Sequence, residues 1–541
     1  MKDLMYTIAK TAVKFRAPFV VAAVMVLGTI LLIRSHAATA TVAVEPETGT
    51  LNSEVTKVTD SSASNGQAVQ FGALTTQSPV SQYPVGCSGT LVPSGTDVVA
   101  AVNNASTGAT LCIATGVYKI SSQIVPKTSQ TLWGNTGTVI DGSKTVAGWT
   151  QQGSIWIAST PLGSSNGGGQ CEDNVTNPCL PTGQVFRNDV HLARVMSAAA
   201  VGPGKFFADY TAGKLYIGDD PTGQRVEIAL TDYAVHSSAS GVTVKGLTIE
   251  KFASPAQKGT LWADGPSWQI RNNTIRWNHA AGIFLSNTTS TVVDSNTIVE
   301  NGQIGVAHYS SPSAVVSNNE IARNNTDGFW IADWESGGYK TTNSTATFSK
   351  NNVHDNKGVG VWVDVDGKGV TIDSNTIANN AADGIRYEIS YDGIIKNNTV
   401  TGNGYGLLRG GGTSLYAVAG INVNTSSNVE IFGNTVSNNE NGIGLQMRNR
   451  GSGKYGAWLL VNCKVHNNIV TMKTGTTYGE GASGLVQNVS DNSYFTSQGN
   501  SFYDNSYFLD SLTAKRFAWN NTYNTAATWR ADGQDVNGSF Q

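Results

Sequence analysis

Charge is scarce in this 541-residue chain. Only 13% of its residues are Asp, Glu, Lys or Arg, about half the usual share for a soluble globular protein. With Lys+Arg at 35 and Asp+Glu at 38, the net charge is −3. The shortage excludes a coiled coil or a helical bundle, which draw on Ala, Glu, Lys and Leu. The missing basic surplus excludes a nucleic-acid binder, whose phosphate contacts require one. Neither Cys-x-x-Cys nor His-Glu-x-x-His occurs, so a zinc site has no support. What is abundant is glycine, 60 residues, along with Asn, Ser and Thr. That is the composition of a long β protein with a polar, near-neutral surface. Length alone suggests three or four domains at about 150 residues each.

Residues 1–40 read as an export segment. Lys10, Lys14 and Arg16 precede an unbroken apolar run from Ala17 to Ile33, and Arg34 and Ala37-Ala38-Thr39-Ala40 follow it. A basic flank, an apolar core and a small-residue site are the parts of a signal peptide. The run is also long enough for a membrane-spanning anchor, and Arg34 before the cleavage site favours retention. Both outcomes remain open, and the basic flank keeps the N-terminus inside in either case. The expected location is secreted or cell-surface, membrane-anchored if the segment is not cleaved. Five cysteines suit that oxidising space. Cys171 and Cys179 bracket a short loop, and Cys87 and Cys112 lie 25 apart; both pairs are expected disulfides. Cys463, in an apolar stretch, reads as a buried packing residue.

An internal repeat decides the fold. Asn-x-Ile/Val units and their equivalents anchor at Asn273, Asn296, Asn319, Asn351, Asn375, Asn398, Asn434, Asn468, Asn500 and Asn521. Five of the steps are 21 to 24 residues, and the other four are roughly a dozen longer. After most anchors comes Gly and an alternating strand: Gly282-Ile283-Phe284-Leu285, Gly328-Phe329-Trp330-Ile331, Gly360-Val361-Trp362-Val363, Gly384-Ile385-Arg386-Tyr387. A period near 23 with short β segments predicts one solenoid turn per unit, stacked turns sharing one core. The anchor Asn is expected to tolerate left-handed φ and to bond along a column of its own kind. The glycine is expected where a Cβ would obstruct a bend.

With these motifs the chain, from about residue 90 to its end, resembles the right-handed parallel β-helix proteins of the pectate-lyase-like superfamily. The resemblance implies an all-β solenoid over 83–541, opening with a short amphipathic cap at Thr96–Ser106. Residues 149–230 are similar to an antiparallel β insertion of several β-helix glycosidases, with strands around 184–188, 206–209 and 214–217; its plainer reading is a side domain without catalytic role. Residues 41–82 form a short β segment and linker, similar in part to the first strands of family 6 and 35 carbohydrate-binding modules.

Alternation along each strand turns the second and fourth residues after the glycine outward. Read down the stack, the second positions are Phe284, Ala307, Trp330, Trp362, Arg386 and Asn422. The fourth are Ser286, Tyr309, Ala332, Asp364, Glu388 and Asn424. Neighbouring turns stand about 4.8 Å apart, so Asp364 and Glu388 are a candidate acid/base pair. Arg386 stands beside them as a third catalytic candidate. Trp330 and Trp362 offer indole faces for sugar rings, and Asp333, Glu335, Asp366, Tyr391, Asp392, Asn422 and Arg409 are expected to line the edges on loops that wall a groove. The plain alternatives are a tryptophan ladder and solvated surface charges. Asp364 and Asp366 are weak calcium candidates without a loop signature; no other cofactor is expected. His308 and His354 read as packing histidines.

The pattern points first to a glycoside hydrolase acting on a polysaccharide or cell-surface glycan, expected to be a monomer that binds no nucleic acid. A polysaccharide lyase is the next variant: the resemblance implies a base of Arg or Lys, often with calcium, and an acidic groove argues against polyuronates. A non-catalytic glycan-binding or adhesion protein is the third.

Overall fold

The structure, a computed structural model, describes residues 82–164, 169–405, 415, 418–472 and 481–541, and the strands Val55–Thr59 and Gln67–Phe71. The segment 1–40, its Arg34 and the candidate Arg409 lie outside the described residues. Contacts divide the chain into two units, 1–80 and 81–541. In the first, Val55–Thr59 pairs antiparallel with Gln67–Phe71, Val55 opposite Phe71; the rest of the stretch resembling a carbohydrate-binding module lies outside the described residues. No helix among the described residues is long and apolar enough to cross a membrane.

The second unit is a parallel β-helix. Three long sheets of 12, 13 and 13 strands share one strand per turn. Inward residues of the front sheet, Ile283, Val306, Tyr339, Val361, Ile385 and Ile421, are 0 to 1% exposed and join one continuous core. The helix Val98–Asn104 caps the N-terminal end, its first turn closed by the Asp97 carboxylate accepting from the Ala100 N–H. The length that suggested several domains is thus mostly one quasi-one-dimensional stack.

The repeat's asparagines form two ladders. Asn273, Asn296, Asn319, Asn351, Asn375, Asn398, Asn434 and Asn468 each donate from Nδ2 to the Oδ1 of the next, at 2.9 to 3.1 Å. The column continues through Asn505 to Asp535, so Asn500 and Asn521, read as anchors from the sequence, are not part of it. A second ladder climbs the other corner through Asn278, Asn301, Asn324, Asn356, Asn380, Asn403 and Asn439. The left-handed residue is not the anchor but the one before it: Asn272, Ser295, Asn318, Lys350, Ser374 and Asn397 have φ between 54 and 58°. Short polar side chains bear that conformation at least cost, which accounts for the Asn-Asn and Ser-Asn pairs. The strand glycines stand where expected. A Cβ on Gly360 would lie 2.6 Å from the Gly384 carbonyl and 2.8 Å from the Asn380 amide.

Asn375 uses both ends of its buried amide, accepting from Asn351 N and Nδ2 and donating to the Phe348 carbonyl and Asn398. Asn375→Ala orphans several of these groups at once. We expect a loss of about 3 kcal/mol in urea unfolding, against less than about 0.5 kcal/mol for Thr376→Ala at the exposed neighbouring position.

Residues 143–230 leave the stack as two small sheets. One orders the strands Val190–His191, Val185–Arg187, Val226–Ala229 and Ser143–Thr145. The other contains Lys205–Asp209, Lys214–Ile217 and Ile155–Ser159. They enclose their own core, with Val185, Phe206, Leu215, Ile217 and Ile228 at 0% exposure. Cys87–Cys112 and Cys171–Cys179 are disulfides. Cys463 is buried, and burial pushes its thiol up to about 12, which makes it inert.

Candidate functional site

The front sheet fixes which side chains are neighbours. Its register aligns Trp262, Phe284, Ala307, Lys340, Trp362, Arg386 and Asn422 in one outward row. The next outward row carries Ser286, Tyr309, Thr342 and Asp364. Glu388 continues it one residue beyond the Val363–Tyr387 pair and is matched to Asn424. Asp364 and Glu388 therefore occupy adjacent turns, their backbones about 4.8 Å apart.

Trp330 does not belong to the row. The strand on its turn is Gly337–Thr342, and residues 325–336 are an insertion ahead of it, so Lys340 takes the place assigned to Trp330 and Thr342 that of Ala332. Trp330 is 2% exposed, packed against Cys171, Cys179 and a stacked Trp334, and has no face for a sugar. A within-repeat distance carries the right register. From strand glycine to the next ladder Asn is 14, 14, 15, 14 and 14 residues for Gly282, Gly305, Gly360, Gly384 and Gly420; Gly338 gives 13 and Gly328 gives 23.

Alternation predicts that these outward rows face solvent. From Lys340 to Glu388 they do not, although Tyr309 is half exposed: Lys340 is 8% exposed, Trp362 4%, Arg386 7%, Asp364 7% and Glu388 6%. Three insertions cover them. Loop 325–336 brings Asp333 to Arg386 at 2.9 Å and Glu335 to Lys340 at 3.7 Å. A hairpin pairing Ser452–Gly453 with Gly456–Ala457 folds back across the earlier turns. Its Arg450 meets Glu388, while Asp366 accepts from Lys454 N and Trp458 Nε1 at 3.0 and 3.2 Å. Segment 169–183 of the β insertion lies on the first loop.

The floor is an alternation of charge. Lys340 Nζ sits 2.9 Å from Asp364 and 3.7 Å above the Trp362 ring, with the Arg386 guanidinium 4.8 Å from the same ring. Cations thus bracket Trp362, so it acts as a cation–π spacer and not as the sugar platform read from the sequence. Arg386 also binds Asp383 at 2.6 Å. Burial opposes its charge, but Asp383, Asp333 and Glu388 outweigh it and hold Arg386 above its ordinary range. Paired with Asp383 and Asp333, its guanidinium is a strut between the sheet and loop 325–336. Burial dominates for Asp383 and raises its carboxyl. Asn422, 2% exposed, spends its amide on Asp383 and Gln446 and is no substrate contact. Tyr391 anchors the hairpin through Gly456 O at 2.8 Å. Asp364 and Asp366 bond to different partners, and no group of three His, Cys, Asp or Glu among the described residues is placed to hold a metal.

One turn before Lys340 the row dips, because Ala307 stands between Phe284 and Lys340. The dip opens a hollow of about 260 Å³, lined by Lys258, Phe284, Ala307, Tyr309, Glu335 and Lys340. His308 beneath it is a packing histidine, bonded to Tyr339 Oη and Ser311 O and lowered to about 4 by burial. His354, read as a core residue, faces outward to Asp355 and Glu320.

Residues 259–419 match the family model described as "Right handed beta helix region". No curated protein matches the chain. Among solved structures, the complex of XylC with xylose is 18% identical, with 77% of this chain and 84% of that one covered at a TM-score of 0.59. The A-module of the mannuronan C-5 epimerase AlgE6 from Azotobacter vinelandii is 13% identical, covering 82% and 92%, at 0.44. A polygalacturonase from Erwinia carotovora ssp. carotovora is 9% identical, covering 84% and 96%, at 0.34. The fold is a right-handed parallel β-helix.

Proposed function

We propose that the chain is an extracellular, carbohydrate-active enzyme: a glycoside hydrolase that cleaves a polysaccharide with Asp364 and Glu388. The observation that carries this reading is the pair itself, two carboxylates on adjacent turns, each less than 10% exposed, beneath the loops that cover this part of the sheet. That the similar XylC structure holds xylose supports a sugar as ligand. Backbones one strand spacing apart allow the carboxyls the separation of about 5 to 5.5 Å that retention of anomeric configuration needs.

The surroundings distinguish the two acids. Asp364 takes the Lys340 ammonium at 2.9 Å and the Val365 N–H at 2.9 Å, which fix its carboxylate in place, and we assign it as the nucleophile. Glu388 meets its donors, Arg450 and Asn424, through Oε1, and Arg450 is 36% exposed on the hairpin. Among the described residues no hydrogen bond reaches Oε2, and we assign Glu388 as the acid/base. Glu388 protonates the leaving oxygen, then deprotonates the water that releases the sugar from Asp364. The hollow beside Lys340 is of a size for one sugar ring.

The second reading is a polysaccharide lyase. It draws on Lys340 and Arg450, cations at the floor that make the groove less acidic than the sequence suggested, with Lys340 as base. Reducing-sugar release from a panel of plant and bacterial polysaccharides, wild type beside Glu388→Gln, tests the site. Sugar ends without ultraviolet absorbance support hydrolysis, and absorbing unsaturated ends support the lyase. Release unchanged in Glu388→Gln refutes the pair.

A further inference from the structure

We propose that the disulfide loop of the β insertion, Cys171–Cys179, is a positioning element of the groove: it holds loop 325–336, and through it Asp333 and Glu335, in place over the floor. The functional half of this inference rests on the reading of the groove as a glycan site.

Loop 325–336 takes backbone support from outside the coil stack. It interrupts the stack between the second ladder's Asn324 and the strand Gly337–Thr342, and it contains no strand of its own. The backbone partners come instead from the insertion. Cys171 and Trp330 form an antiparallel bridge, with Glu172 N donating to Phe329 O at 2.8 Å and Ile331 N to Gln170 O at 3.1 Å. The disulfide closes the donor segment on itself, and Cys179 N also donates to Cys171 Sγ at 3.2 Å. Side chains complete the joint. Both half-cystines and Trp330 are buried at 1 to 2% exposure, with Phe329, Trp334 and Leu180 packed around them. His279, on the coil stack, reaches the Cys179 carbonyl at 3.0 Å and the Ser254 carbonyl at 2.8 Å, fixing the far end of the disulfide loop to the helix.

Downstream of this joint the same loop delivers its charged residues. Trp334 N bonds Ile331 O and Ser336 Oγ bonds the same carbonyl, a tight turn that fixes the direction of Asp333 and Glu335 relative to Trp330. Asp333 then meets Arg386 at 2.9 Å. Glu335 receives Gln257 Nε2 at 2.6 Å and faces Lys340, the cation that holds Asp364. Cutting the covalent closure removes the constraint on segment 171–179, the bridge to Trp330 loses its ordered partner, and the two carboxylates lose their address. A displacement of an ångström in groups that orient a substrate is enough for a large rate loss.

The test compares full-length wild type with the Cys171→Ser/Cys179→Ser double variant. Gly169→Ala serves as a second route, because it keeps both cysteines while its methyl would lie 2.3 Å from the Trp330 ring. Hydrogen exchange of amides 329–336 is expected to accelerate at least tenfold in both, with the coil amides of 259–325 unchanged. On the glycan cleaved by wild type, KM is expected to rise on the order of tenfold with kcat changed less than threefold; a purely structural disulfide would lower the unfolding midpoint and leave KM alone. Unchanged exchange at 329–336 overturns the clamp, whether or not any glycan is cleaved. Faster exchange with unchanged KM overturns its positioning role. Absence of cleavage by wild type on every glycan tried counts against the hydrolase reading alone, because the exchange measurement stands without it.

Discussion

Asp364→Asn is expected to stop turnover on every glycoside, by on the order of 10³-fold or more, whereas Glu388→Gln is expected to be that severe only on glycosides with poor leaving groups. The asymmetry follows from what surrounds each acid. In the proposed mechanism Asp364, bonded by Lys340 Nζ and the Val365 N–H, forms the bond to the anomeric carbon, and no substrate removes the need for it. Glu388 supplies a proton that a nitrophenolate leaving group does not require, so the first step survives in Glu388→Gln with an activated aryl glycoside. The covalent sugar then accumulates, because no base is left to draw a proton from water. Azide, which needs no base, is expected to restore turnover of Glu388→Gln and to give a glycosyl azide of retained configuration. In Asp364→Gly it is expected to enter from the vacated side and give the inverted azide. Equal losses of kcat/KM across leaving groups for Glu388→Gln, or the same azide from both variants, would assign the roles otherwise.

The solenoid was legible because its determinants are local and repeated. A ladder Asn, a left-handed residue before it and a glycine after it recur within each turn, and the fold class follows from their period. The carboxylate pair was legible for the same reason: both acids lie on turns of 24 and 23 residues, where counting from the glycine lands on the right side chain. Lys340 was hidden because its turn carries an insertion. Period alone cannot say whether extra residues fall before or after the strand, and Gly328 imitates the glycine that Gly338 supplies. Arg450 was hidden more deeply. It sits on a hairpin with no periodic signal, and it reaches Glu388 only because that hairpin folds back along the stack. The burial of the outward rows was also not in the strand pattern, since alternation describes a bare sheet and this one is roofed by loops from distant turns. The cation environment of Trp362 follows from the corrected register: a tryptophan between lysine and arginine rungs reads differently from one in a tryptophan ladder.

Lys251→Met is expected to destabilise the protein by about 3 to 5 kcal/mol, most of it through charge. Lys251 is 1% exposed and lies where the β insertion joins the coil stack. Its ammonium is 2.5 Å from Asp189, 2.8 Å from Glu227, 3.6 Å from Glu250 and 3.8 Å from Asp141. Lys119 shares Glu227 and Asp141 at 2.7 and 3.2 Å, and Arg276 holds Glu250 at 2.8 Å. Methionine matches the stem's volume and removes the cation, stranding Glu227, itself 1% exposed, with one lysine fewer. Burial by itself would raise the Glu227 carboxyl, but Lys119 and Lys251 outweigh it and hold it below its ordinary value. Burial likewise opposes the Lys251 charge, and Asp189 and Glu227 outweigh it and raise that group. A carboxyl lowered on folding stabilises fully above its unfolded value, about 4.3 for Glu, and loses that contribution as pH falls through the folded value. A lysine raised on folding stabilises below about 10.4 and loses its contribution as pH rises through the folded value. The gap between wild type and Lys251→Met in urea unfolding is therefore expected to be widest between about pH 5 and 9, and to narrow below about pH 4 as the stranded acids take up protons in the variant. Adding Glu227→Gln is expected to recover part of the loss, as coupled partners do. A gap that stays the same size from about pH 9 down to below about pH 4, with no recovery in the double variant, would mean that Lys251 acts through the volume of its buried stem and that its charge contributes nothing.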